Sequence, residues 1–257
     1  MKIQNNCAPV EIPKVLHYCW FGHGPLTEQA TRSLATWEKY APGFSVQRWD
    51  ESNFDVSSCA WTRGAYDAGK WAFVSDYVRF KVLFDHGGIY MDVGSELVRD
   101  ISPLVDRVPF SAIEAETRTV STGLVAACEQ GNPIVGEVLD DYGRLTFSAD
   151  PSFLLEHTVN AMLTTVFERY GYVREDRLQS VSGWTLLPSE CFDPKLDRGG
   201  YVLTENTFSI HHSSASWVPD YERFRVAFIK KWAPVVGDFA ARKTARLLMA
   251  IRYRRWR

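Results

Sequence analysis

Between residues 15 and 92 the sequence alternates short apolar runs with longer stretches whose apolar residues recur every three or four positions, and this alternation restricts the fold more than any other feature. Val15-Leu16-His17-Tyr18-Cys19-Trp20 follows Pro13 and runs into Gly22 and Gly24, the pattern of a buried strand that ends in a loop. Thr27 to Tyr40 carries helix formers and stops at Pro42-Gly43, and Phe44 to Trp49 alternates with period two as a half-buried strand does. From Ala65 to Asp85 the pattern is helical, with Trp71, Val74 and Val78 at three- and four-residue spacing, and Gly87-Gly88 ends it. Ile89 to Asp92 is then a short strand. Strand, helix, strand, helix, strand predicts a mostly parallel α/β sheet flanked by helices.

In such sheets ligands gather beyond the carboxyl ends of the strands, and both Trp20 and Asp92 fall at such ends. The second half predicts further elements at Ser121 to Cys128, helices near 133–143 and 156–169, and an irregular stretch holding Pro188 and Pro194. A polar segment follows, from Ile210-His211-His212 to Ser216-Trp217. We divide the chain into a loose leader (1–11), one α/β domain (12–235) and a basic amphipathic helix (236–257). After Asp238 there is no acid, while Arg242, Lys243, Arg246, Arg252, Arg254, Arg255 and Arg257 accumulate. Such a helix is either solvated or seated on an anionic membrane surface.

A net charge of −2 gives the chain no electrostatic footprint for nucleic acid. The N-terminal residues lack the apolar core of a signal peptide, and no run approaches the length of a membrane span. The five cysteines are scattered with no CxxC pair, which signals neither a disulfide framework nor a zinc site. A cytoplasmic protein is expected, with a possible seat on the inner face of the membrane.

Asp76 and Arg79 are three residues apart and share a helical face. They are either a surface ion pair of small energy or the wall of a pocket, the acid accepting from sugar hydroxyls and the guanidinium donating. On a continuing strand, Asp92, Gly94 and Glu96 share a face. Acids at 92 and 94 would clamp a divalent cation against two phosphates; here the second position is glycine, and Glu96 lies about 7 Å further along. A neutral imidazole from His211 or His212 is a good ligand for such a cation. Trp20 is either a core residue or a platform for a base.

Together these residues carry a resemblance. Ile12-Pro13-Lys14-Val15-Leu16-His17-Tyr18-Cys19-Trp20-Phe21-Gly22 resembles the opening strand of the family 32 glycosyltransferases, the capsular polysaccharide and initiating mannosyltransferase relatives. Ala72-Phe73-Val74-Ser75-Asp76-Tyr77-Val78-Arg79-Phe80, then Leu83, His86 and GGIYMD, is similar to the sugar-binding helix and metal-binding strand of that family and of the glucosylating clostridial toxins. Leu187 to Pro194 and His211 to Trp217 resemble its C-terminal blocks. The resemblance implies a GT-A fold, a Rossmann-like sheet with helical additions, and transfer of a sugar from a UDP- or GDP-linked donor with retention of configuration. The acceptor implied is a surface glycan, free or lipid-linked. By matching positions, Trp20 stacks on the base, Asp76 and Arg79 hold the donor sugar, and Asp92 is the first acid of an Asp-x-Asp. His211 or His212, Ser216 and Trp217 close over the diphosphate and a Mn or Mg ion, with Glu96 assisting.

The family has Asp where this chain has Gly94. Metal binding through Asp92, a histidine and water, metal independence with Arg79 covering the phosphates, and a non-catalytic nucleotide-sugar binder all follow from that departure. A hydrolase with Asp92 as nucleophile is disfavoured, because Gly94 also removes the acid such an enzyme needs two residues on.

Overall fold

The structure is a computed structural model that describes residues 11–105, 108–196 and 200–212, together with scattered positions between 228 and 248. The chain divides into two units, Met1–Ser213 and Ser214–Arg257. The leader expected over 1–11 and the basic helix expected over 236–257 lie, apart from Glu11 and a handful of positions, outside the described residues, as do Ser216 and Trp217. Among the described residues no helix is long and apolar enough to cross a membrane.

In the first unit the elements follow as β1 (Val15–Cys19), α1 (Glu28–Tyr40), β2 (Ser45–Trp49), α2 (Ala60–Asp67), α3 (Trp71–His86), β3 (Gly88–Tyr90), β4 (Ser95–Leu97), α4 (Ser102–Val105), β5 (Phe110–Ile113), β6 (Val120–Cys128), α5 (Pro133–Gly143), α6 (Pro151–Glu156), α7 (Val159–Arg169), β7 (Gln179–Val181), β8 (Trp184–Leu187) and β9 (Ser209–His211). Seven strands form one sheet in the order β2-β1-β3-β6-β5-β8-β7, and β4 pairs with β9 in a small second sheet. The α/β class is the one expected, but the sheet is mixed. β1 runs parallel to β2 and β3, and β5 parallel to β8, while β6 lies antiparallel between β3 and β5, and β7 antiparallel to β8. The six elements from β1 to β3 carry the strand-helix alternation that parallel pairing requires; the second half contributes the reversal.

The long helix expected over 65–85 is two helices. Gly69 takes a positive φ of 65°, which stops α2, and the chain restarts at Trp71. The helix expected near 156–169 likewise starts afresh at Thr158, whose hydroxyl caps α7 by accepting from the Ala161 amide. Trp71 sits at the start of α3 and is 38% exposed, so it does not share the buried face with Val74 and Val78.

Apolar residues alternate across the strands as the pleat requires. Cys19 and Tyr90 face a core built with α2, α3, α5 and α7, whereas Leu16, Tyr18, Ile89 and Met91 face a second core that includes Trp37 of α1. Nearly every face of α3 is covered: Phe73, Val74, Val78, Phe80, Val82 and Leu83 are all at most 2% exposed. Each such side chain stabilises the fold by about 1.5–3 kcal/mol relative to exposure. A helix packed this completely fixes the rotamers of its polar residues, and two of these are Asp76 and Arg79.

Candidate functional site

Asp76 and Arg79 are 8% and 4% exposed, so the surface reading of the pair is excluded. Burial of ions at this depth is tolerated only when both are paired and hydrogen-bonded. Asp76 Oδ1 accepts from Arg79 Nη2 at 2.9 Å, and the same nitrogen lies 3.5 Å from Asp92 Oδ1. The rest of the guanidinium is also engaged. Nε donates to the Ser75 carbonyl at 3.1 Å, Nη1 donates to Thr122 Oγ1 at 3.3 Å, and the Tyr90 ring lies 4.8 Å beneath it. The Tyr90 hydroxyl donates to Asp92 Oδ1 at 2.9 Å. One guanidinium thus ties α3 to the residue beyond the carboxyl end of β3, with an aromatic floor between them.

Charge follows from this geometry. Burial pushes the Asp76 carboxyl up to about 7, against the pull of Arg79 and with a further push from Asp92. Burial also opposes the charge on Arg79, but Asp92, Tyr90 and Asp76 outweigh it and hold the guanidinium protonated. Asp92 is the more accessible acid, its side chain 35% exposed, so it is the group that a solute meets first.

Asp92 does not continue a strand towards Glu96. The Ser95 amide donates to the Asp92 carbonyl at 2.9 Å, closing a turn, and pairing resumes in β4. Residues 92, 94 and 96 therefore do not line one pleated face, contrary to the spacing expected from sequence. Glu96 is met instead by His212, with Nε2 2.7 Å from Oε2. His211 pairs with Ser95 across the small sheet. A Cβ at position 94 would lie 2.9 Å from the His212 carbonyl oxygen and 3.4 Å from His211 Nε2. A second acid of an Asp-x-Asp at this position would thus start against the His212 carbonyl, with the His211 imidazole beside it. Burial keeps His211 below the ordinary histidine value although Asp92 pulls the other way, so the ring is neutral at pH 7.

Trp20 follows β1 at the same end of the sheet, half-buried, with its indole N–H donating to the Gly24 carbonyl at 2.8 Å and its amide to the Trp49 carbonyl at 2.9 Å. The preceding Cys19 is buried in the electrostatic neighbourhood of Arg79, Asp92 and Asp76, and burial pushes its thiol up to about 12. Among the sequence candidates, Asp76, Arg79 and Asp92 are therefore together, His211 borders them over Gly94, and His212 and Glu96 pair with each other. Among the described residues no group of three or more His, Cys, Asp or Glu converges as a ready metal cage. Tyr90 and Thr122 were not singled out from sequence. Tyr90 was within reach: it is the last residue of β3, two positions before Asp92. Thr122 had no local signal, because its part follows from the antiparallel placement of β6.

Comparison with known proteins bears on this cluster directly. Residues 27–111 match the family described as "Glycosyltransferase sugar-binding region containing DXD motif". The matched segment, about a third of the chain, contains Asp76, Arg79, Tyr90 and Asp92 and stops before β6 and β9. No curated protein matches the sequence. Solved structures similar in fold include "PaToxG Glycosyltransferase", with 18% identity and a TM-score of 0.49 over 63% of this chain and 70% of that one. Another is a glycosyltransferase involved in the glycosylation of the major capsid of PBCV-1, with 10% identity and a TM-score of 0.43 over 79% of this chain and 95% of that one.

Proposed function

We propose that this protein is a retaining glycosyltransferase that moves a hexose from a UDP- or GDP-linked donor to a surface-glycan acceptor. The observation that carries the reading is the buried Asp76–Arg79–Asp92 constellation, which lies wholly inside the segment matching a glycosyltransferase sugar-binding region. Arg79 holds Asp76 and Asp92 in register, and the accessible face of Asp92 accepts from the donor. Trp20, at the same sheet end, is assigned to the base. No protein nucleophile is assigned; the leaving phosphate takes the acceptor proton.

A Mn or Mg ion fits the groups present if it arrives with the donor. Asp92 and the neutral His211 are two protein ligands, and Mg-type ions are commonly held by one or two protein groups plus substrate phosphates and water. When bound, the ion neutralises charge on the diphosphate leaving group. Glu96 and His212 are assigned to supporting the β4–β9 pair that carries His211. The acceptor is a glycan or lipid-linked glycan, and the basic tail is assigned to an anionic membrane surface on the cytoplasmic side.

A second reading, a non-catalytic nucleotide-sugar binder, is favoured by Gly94 alone. The test is a screen of UDP- and GDP-sugars for hydrolysis and transfer, with and without Mn. Turnover of at least one donor, lowered about a hundredfold or more in Asp76→Asn, is expected. Nucleotide binding without turnover of any donor would select the binder instead.

A further inference from the structure

The antiparallel strand β6 is fully buried, yet its pairing with β5 breaks in the middle. Ser111 faces Ala126 and the next residue, Ala112, faces Ser121, so residues 122–125 bulge out of the ladder. Bulges of this kind redirect backbone and are frequent beside functional sites. Here the Ser111 hydroxyl donates to the Val125 carbonyl at 2.7 Å and pins one end of the bulge. At the other end the Gly123 carbonyl accepts twice, from the Asp92 amide at 3.0 Å and from Ser95 Oγ at 3.2 Å. The bulge is therefore the partner that holds the Asp92–Ser95 turn.

Gly123 also lies against the carboxylate itself. A Cβ there would stand 2.5 Å from Asp92 Oδ2, 3.3 Å from its Cγ and 3.6 Å from Arg79 Nη1. The φ of Gly123 is not positive, so the backbone alone does not demand glycine. The nearest obstacle is the tip of a rotatable side chain whose carboxylate is partly solvent-exposed.

We propose that Gly123 is a positioning residue: the absence of a side chain there lets the Asp92 carboxylate seat between the β6 bulge and Arg79, in the orientation the donor meets. This rests on the reading of Asp92 and Arg79 as donor-binding groups. A methyl at 123 leaves the fold in place and turns Asp92 off Arg79 and Tyr90. Displacement of a reacting or binding group by about an ångström costs tenfold to a hundredfold.

The test pairs kinetics with a double-mutant cycle. Gly123→Ala should fold cooperatively and lower kcat/KM by about tenfold or more with whichever donor the parent uses. In urea unfolding it should shift the midpoint of the parent but not that of Asp92→Ala, which has no carboxylate to displace. Parent-like kcat/KM in Gly123→Ala, or equal shifts in both backgrounds, overturns the proposal. A parent inactive with every donor strikes the transferase reading instead. The unfolding cycle then still decides the role of Gly123, coupling upholding it and additivity overturning it.

Discussion

Arg79 is the residue on which the site turns. Its guanidinium is buried against two acids, a hydroxyl, a carbonyl and a ring, so truncation would leave Asp76 uncompensated at a cost of about 3–5 kcal/mol. Arg79→Ala is accordingly expected to lose fold and function together, and Asp92→Asn, at the accessible end, is the cleaner probe. Gly94 yields a different prediction. Placing the second acid of an Asp-x-Asp there drives a Cβ to 2.9 Å from the His212 carbonyl oxygen, just after β9. Gly94→Asp should therefore destabilise by about 1–3 kcal/mol in urea and leave Mn affinity no higher than the parent's; a stable variant with tighter Mn binding would contradict this. The pairing of Asp76 with Arg79 was legible from spacing, but its burial was not, since spacing reports only a shared helical face. The surroundings of Gly94 were not legible either: His211 and His212 arrive from more than a hundred residues away through strand pairing.

At the level of elements, α3 and β3 were legible because an apolar helix, two glycines and a short apolar strand leave few alternatives. The boundary at Gly69 was missed because apolar periodicity runs across it, while the chain there takes a positive φ. Strands β4, β5, β7, β8 and β9 were missed because none exceeds four residues. Across the β1–β2–β3 pairing, His17 shows how tightly this sheet end is specified. Its Nδ1 accepts from the Trp49 indole at 3.1 Å and its Nε2 donates to the Gly87 carbonyl at 3.0 Å, which fixes a neutral ring. Burial lowers it to about 4 from 6.5. The unfolded chain thus takes up this proton first. The stability from His17 is complete above 6.5 and is lost as pH falls to about 4, about 3 kcal/mol in all. Asp76 acts with the opposite sign, its raised value removing stability as pH climbs towards about 7. A bulk melting curve mixes the two, so the check is an NMR titration of the His17 ring. An inflection near 4 is expected, and one near 6.5 would show that the ring is not held as described.

At the scale of the whole molecule, the class of fold followed from alternation between residues 15 and 92, and the mixed sheet did not, because reversal of β6 leaves no mark on local periodicity. The site sits where three parallel strands and the β6 bulge meet, so donor binding should report on the entire first unit. With no group of three or more His, Cys, Asp or Glu converging among the described residues, Mn alone should show no saturable binding in the low micromolar range, and Mn with a nucleoside diphosphate should. Tight Mn binding without nucleotide would contradict the arrangement. The most direct test is calorimetric titration of UDP and GDP, each with Mn, into the parent and into Asp92→Asn. We expect saturable binding of one nucleotide to the parent and at least about tenfold weaker binding to a variant whose melting temperature is nearly unchanged. No binding of either nucleotide, or equal affinity in the two proteins, would contradict the assignment of Asp76, Arg79 and Asp92 to a donor site.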